Sequence, residues 1–178
     1  KNKDAFKENY PIISPGNLGF YLGSKASSEI LVQSYSSIFN VVIFRPFFMY
    51  GKKQKKQMLM PRLMSNIIHN KKIKLNGQNG IKINPIHVDD ASEAVINSIE
   101  KISKSILINI AGPQILSIRE ICNEMSNFLK KDPLFIVENN LGKDVIGDIS
   151  LMKDLLNSPT KTVKNSLEDI FCATKNLS

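Results

Sequence analysis

At 178 residues, with 42 % apolar and 22 % charged side chains, the chain is long enough to bury one sizeable core and has the balance of a soluble protein. Its net charge of +8 raises the question of nucleic acid, but the lysines are dispersed. The short clusters Lys52-Lys53, Lys55-Lys56 and Lys71-Lys72 lack the interleaved aromatics of a stacking platform, so no nucleic-acid partner is expected. No run approaches the roughly eighteen apolar residues of a membrane span. Cys122 and Cys172 stand apart, without a second Cys or a His at ligand spacing. They read as free thiols in a reducing cytoplasm and, with only His69 and His87 available, argue against a zinc site.

In chain order, residues 1–20 read as a polar loop punctuated by Pro11, Pro15, Gly16 and Gly19. A helix is expected over Tyr21 to Ser36. Val41 to Phe44 is continuously apolar, as a parallel strand covered on both faces would be. After the basic loop 51–57, Met58 to His69 reads as a helix. Lys72 to Leu75 and Lys82 to Val88 read as short strands around a turn at Gly77 to Gly80. Asp90 and Glu93 have capping-box spacing ahead of a helix carrying Ala91, Ala94, Val95, Ile99 and Ile102. Ile106 to Ile110 is a further strand, and Ser117-Ile118-Arg119-Glu120 is a capping box opening another helix. The remainder reads as loops with short helices at Ile149 to Leu156 and Leu167 to Thr174.

The chemistry concentrates in Tyr21-Leu22-Gly23-Ser24-Lys25 and in Arg45-Pro46-Phe47-Phe48-Met49-Tyr50-Gly51. A phenol and an ammonium four residues apart share one face of a helix. A nearby ammonium favours the phenolate form of a phenol, so the pair suits proton transfer to or from an alcohol. With 24 Lys plus Arg in the chain, of which three are arginines (24 − 3 = 21 lysines), this spacing alone is weakly specific.

Its context is more specific. Pro15, Ser24 and Glu29 surround the pair, and an apolar strand then runs into Arg-Pro and Tyr-Gly. This order resembles the extended short-chain dehydrogenase/reductase family, the NAD-dependent epimerase/dehydratase group. Five later segments extend the resemblance over nearly the whole chain: Ile83 to Ala91, Asn109 to Gly112, Ser117 to Glu120, Gly147 to Ser150 and Pro159 to Thr162. The resemblance implies Tyr21 and Lys25 as catalytic residues. It implies Tyr21, Lys25, Pro46 and Phe47 as contacts to NAD or NADP, and Phe48 and Arg62 as substrate contacts. Read from the residues themselves, His87 is a packed histidine. Asp89 and Asp90 are cap and loop anchors, Arg45 holds a loop through its guanidinium, and Phe47 and Phe48 are equally consistent with core. Many sugar-nucleotide members have Asn at the position of Phe48, and a diphosphate-gripping Arg at that of Ile83. Arg62 and the lysines at 52–56 are the cations that could replace the latter.

The expected fold is α/β: the C-terminal part of a Rossmann-like parallel sheet with a smaller α/β substrate-binding lobe. Residues 1–50 would belong to the dinucleotide-binding side and 51–178 mainly to the lobe, with 82–111 returning to the Rossmann side. The Gly-x-x-Gly-x-x-Gly turn that meets a cofactor pyrophosphate does not occur, so the chain reads as the C-terminal portion of a longer protein. By itself it should bind dinucleotide weakly. The implied activity is NAD(P)-dependent epimerisation or dehydration of a nucleotide-sugar. The alternatives are an SDR-type reductase with net ketone–alcohol conversion, and a catalytically inert fragment or binding module. The expected partners are a small-molecule substrate and a second copy in a homodimer, with neither membrane nor nucleic acid.

Overall fold

The computed structural model describes residues 5–11, 18–140 and 142–175. Pro15 and Gly16 lie outside the described residues. Helix α1 (Gly19–Gln33) continues into a 3-10 turn at Ser34–Ser37 and leads to strand β1 (Val42–Pro46). Then come α2 (Leu59–Ile68), β2 (Ile73–Asn76), β3 (Lys82–Ile83), α3 (Val88–Lys101) and β4 (Ile106–Ile110). The chain finishes with β5 (Leu116–Ser117), α4 (Ile118–Leu129), β6 (Phe135–Glu138), α5 (Ser150–Leu155), a 3-10 turn at Lys164–Ser166, and α6 (Leu167–Lys175).

The strands pair in twos. β1 runs parallel to β4, with Val42 opposite Ile106 and Pro46 opposite Ile110. Two parallel strands joined through a helix are the unit of an α/β sheet. β2 pairs parallel with β6, and β3 antiparallel with β5. The Gly77–Gly80 segment is therefore a turn, with both glycines at positive φ (70° and 69°), but it does not close a ladder between the strands on either side. β2 finds its partner some sixty residues downstream, in a strand missing from the sequence expectation. Phe135-Ile136-Val137-Glu138 is β-prone but short, and nothing local announces its pairing.

Two apolar cores result. One gathers the buried faces of α2, α4 and α6 with β2 and β3, including Met60, Met64, Leu75, Ile121, Met125 and Ile170. The other lies between the β1–β4 pair, α3 and α5, and contains Ile86, Ala94, Ile108, Ile110 and Met152. Gly112 sits where the chain leaves β4. A Cβ there would fall 1.8 Å from the carbonyl oxygen of Pro85, so the two backbones touch because this residue has no side chain.

Three further expectations change. β1 is only half-buried, because one edge and part of its faces are open among the described residues. Val95 and Ile99, expected on the covered stripe of α3, are exposed, and the buried stripe is Asp90, Ala91, Ala94 and Ser98. The N-cap of α3 is His87, not Asp90: its Nδ1 accepts the amide of Asp89 at 3.2 Å. The capping box at Ser117 forms as expected, with Glu120 Oε2 accepting from the Ser117 amide and hydroxyl, each at 2.7 Å.

Candidate active site

Tyr21 is the third residue of α1 and Lys25 lies one turn on, so their side chains meet on one face. The ammonium lies 5.7 Å from the ring centroid of the phenol. Apart from this contact, neither the phenol oxygen nor the ammonium has a hydrogen bond or ion pair among the described residues. Tyr21 is 69 % exposed. Ser24 donates to the carbonyl of Tyr21, and Ser28 to that of Ser24, both at 2.8 Å, so the hydroxyls turn back onto the helix.

The third member of the stripe, at the same four-residue step, is Glu29. Arg45 on β1 grips it with two guanidinium nitrogens, Nε donating to Oε2 at 3.0 Å and Nη2 to Oε1. Its remaining arm donates to the carbonyl of Glu8 at 3.1 Å. The Glu8 carboxylate accepts the amide of Asn109 on β4 at 3.0 Å. Arg45 is thus the loop-holding residue its guanidinium suggested. It fastens the Tyr-Lys helix and the 5–11 segment to the strand that leads into the site.

That strand ends at Pro46. Parallel α/β sheets hold ligands beyond the carboxyl ends of their strands. Pro46 and Ile110, the last residues of β1 and β4, line an apolar cavity of about 400 Å³ with Met49, Val88, Ala91 and Val95. Phe47 turns away from it. Its ring covers Gly147, where a Cβ would lie 2.7 Å from the ring, and its amide donates to the carbonyl of Ile110 at 2.9 Å.

Phe48 holds φ at 48°, a left-handed conformation that costs a non-glycine residue on the order of 1 kcal/mol. The kink carries its half-buried ring to the other core and into a second cavity of about 420 Å³. Arg62, from the exposed side of α2, lines this same cavity, so the two expected substrate residues do come together. Its floor is apolar, and Asn66, Lys72, Lys74 and Asn76 stand around it. Lys72 read as part of a solvated lysine pair. Its place here depends on the β2–β6 pairing, which the local sequence does not reveal.

Tyr50 is 1 % exposed, edge-to-face with His87 at 5.3 Å, and burial pushes its phenol up to about 12. It is a neutral core phenol, which leaves Tyr21 as the accessible tyrosine of the two motifs. His87 is packed, as expected, with Nε2 3.0 Å from Asp169 on α6. Asp90 accepts the amides of Thr160 and Lys161 at 3.1 and 2.9 Å, anchoring the tail segment whose resemblance the sequence suggested. Asp89 accepts the Lys161 ammonium at 2.7 Å, and that hydrogen bond holds its carboxyl below the usual carboxylate range.

The site thus combines an exposed phenol–ammonium pair on a helix with a parallel strand that ends at an apolar cavity. The NAD dependent epimerase/dehydratase family matches residues 2–111, more than half of the sequence, and the chain belongs to that family. It is 29 % identical over 113 residues to dTDP-D-glucose 4,6-dehydratase of Homo sapiens, covering 62 % of this chain and 32 % of that one. It is 24 % identical over 168 residues to GDP-6-deoxy-D-talose 4-dehydrogenase of Aggregatibacter actinomycetemcomitans, covering 89 % of this chain and 56 % of that protein. Among solved structures, UDP-glucuronic acid 4-epimerase from Bacillus cereus in complex with NAD superimposes with a TM-score of 0.80 at 28 % identity. That match covers 96 % of this chain and 56 % of the other. The chain thus spans 32 to 56 % of the length of these relatives.

Proposed function

We propose that this chain supplies the proton-transfer pair and the substrate lobe of an NAD-dependent epimerase or dehydratase acting on a nucleotide-linked sugar. The observation that carries the reading is the Tyr21–Lys25 face itself, with two polar groups that have no hydrogen bond or ion pair among the described residues, exposed and fixed to β1 through Glu29 and Arg45. Residues 1–50 with 82–111 form the dinucleotide side in this reading, and the rest of 51–178 forms the lobe. The separation of the two apolar cores supports that division, with α5 joining the dinucleotide side.

The residues present fit a nicotinamide cofactor in part. An uncommitted ammonium beside an uncommitted phenol suits a hydroxyl-rich ribose, and Pro46 offers an apolar surface at a strand end. Lys25 would hold the ribose, while Pro46 and the backbone of Phe47 would border the ring. When bound, the cofactor accepts and returns hydride. Tyr21, with the Lys25 ammonium on the same helix face, takes the proton from a sugar hydroxyl and can give it back. Phe48 and Arg62 in the second cavity hold the nucleotide portion, which fixes the sugar for transfer.

The test is to assay the active protein with UDP-, dTDP- and GDP-linked sugars and NAD while following nicotinamide absorbance. Epimerisation or dehydration recycles the cofactor, so absorbance returns to baseline as product accumulates. A steady net change would instead support the reductase reading, which the likeness to a 4-dehydrogenase across most of the chain favours. Lys25→Met should lower both turnover and cofactor affinity. Full turnover in Lys25→Met would overturn the assignment.

A further inference from the structure

Three consecutive residues separate the two cavities. Pro46 lines the first, Phe48 lines the second, and Phe47 stands between them. The amide of Phe47 is pinned to the carbonyl of Ile110, and the left-handed turn at Phe48 follows at once. The remaining fixed point of this short stretch is the Phe47 ring, which rests on buried Gly147. A Cβ at residue 147 would lie 2.7, 2.8 and 3.0 Å from three carbons of that ring. Gly147 is not among the glycines at positive φ, so what it supplies is space rather than a backbone angle.

Gly147 is itself held from two sides. The carboxamide of Asn84 closes a two-bond ring with its backbone: Nδ2 donates to the Gly147 carbonyl at 2.8 Å, and Oδ1 accepts the Gly147 amide at 2.9 Å. One side chain thus offers the donor and acceptor that a neighbouring strand would offer. From the other side, the Phe6 amide donates to Ile146 at 2.7 Å, and its carbonyl accepts the Asp148 amide at 2.8 Å. Asn84 is 3 % exposed, and its own carbonyl accepts the Gly112 amide at 3.0 Å. Burying an amide is unfavourable unless its polar atoms are matched, and here both ends are committed to a single residue.

We propose that Asn84, acting through Gly147, is a positioning residue for the reaction: it holds the seat of the Phe47 ring and so fixes the Pro46 surface relative to the cavity that Phe48 lines. This rests on the proposed function and adds to it two residues that line neither cavity. Disturbing the seat should misplace the sugar relative to the proton-transfer pair while leaving the binding groups in place.

The first measurement needs no substrate. A glycine Hα beneath an aromatic ring resonates upfield, so the NMR spectrum of the full chain should show Gly147 upfield, and Phe47→Ala and Asn84→Ala should each abolish that shift. An ordinary Gly147 signal in the unaltered protein would overturn the seat. The second measurement is steady-state kinetics of the active protein with NAD, using UDP-glucose and dTDP-glucose as probes. Gly147→Ala should lower kcat by about 10²-fold, the scale of a small misplacement. KM should stay within about threefold. The Gly147→Ala, Phe47→Ala double variant should be no slower than the slower single variant, because one contact carries both effects. Multiplied losses, an unchanged kcat in Gly147→Ala, or a loss confined to KM would overturn the positioning role. If the variants at buried Asn84 and Gly147 fail to fold, Phe47→Ala, which removes a half-buried ring, should still lower kcat with KM held, and a normal kcat there would overturn the role. Turnover of neither probe by the unaltered protein would overturn the proposed function and this role with it, whereas a missing upfield signal beside normal turnover would overturn the seat alone.

Discussion

α1 and α2 are both rich in apolar residues, yet α2 buries Met60, Pro61, Leu63, Met64 and Ile67, whereas α1 buries none. Phe20, Ile30 and Leu31 on α1 are 94, 64 and 65 % exposed. α2 packs into a core; α1 buries no residue and is tied to β1 by the Glu29–Arg45 ion pair. The contrast separates two roles. On the proposed function, the proton-transfer pair lies on the helix that buries none of its residues, and ligand recognition lies on the lobe built around α2. A change in the lobe core should therefore act through stability, and a change on the face of α1 through chemistry.

The largest effect that would sharpen this contrast is in the core. Met64→Ala, at a fully buried site, should cost about 2–5 kcal/mol by denaturant unfolding. Leu31→Ala on α1 should stay within about 0.5 kcal/mol, as for other exposed positions. Equal losses would mean that α1 is covered in solution, and the contrast would fail.

Next in size is the anchor. Arg45→Ala strands the Glu29 carboxylate, whose side chain is only 12 % exposed, and should cost about 1–3 kcal/mol. Its distinguishing signature is local: amide hydrogen exchange should rise in α1 and remain slow in α2 and α4. A uniform rise across all three would contradict the separate anchoring.

A smaller effect is pH-dependent and confined to the lobe. The backbone amide of Ser117, and then its hydroxyl, hold the Glu120 carboxyl below the usual carboxylate range. Because the folded pKa is the lower one, the cap's contribution is fully present above an unfolded pKa of about 4.3. It is lost as pH falls through the folded value. Glu120→Gln should flatten this part of the acid limb in a stability–pH curve. An unchanged limb would show that the cap does not contribute.

The smallest effect concerns the thiols. Burial pushes Cys122 up to about 12, so it should resist alkylation at neutral pH while half-buried Cys172 reacts first. Faster reaction at Cys122 would place α4 outside a sealed core.

Legibility in the sequence follows the same division. α1, α2, β1 and β4 were readable because their signals are local: periodicity, an apolar run, a Tyr-x-x-x-Lys step. So was the Ser117 capping box, whose two partners are three residues apart. The β2–β6 pairing was not legible, since it joins residues about sixty apart with α3 and α4 between them. The true cap of α3 was hidden because Asp90 has the residue type of a cap, but its carboxylate is committed to amides seventy residues downstream. Of the site, Tyr21, Lys25 and Pro46 carried their own signals. That the Phe47 ring lies over Gly147, one hundred residues later, was not legible, because nothing nearby announces that contact. The exposure of α1 was equally hidden, because a sequence shows that a helix has apolar residues without showing what covers them.

The measurement that tests the division of roles most directly is Tyr21→Phe in the active protein, with turnover and nucleotide-sugar affinity determined side by side. The substitution removes one oxygen from an exposed ring, so folding should be unaffected. Turnover should fall by about 10²–10⁴-fold, the usual worth of a positioned acid/base. Affinity for the nucleotide-sugar should stay within about threefold, roughly 0.7 kcal/mol, because the second cavity is untouched. Near-normal turnover, or a loss of affinity matching the loss of turnover, would contradict the assignment of chemistry to α1 and recognition to the lobe.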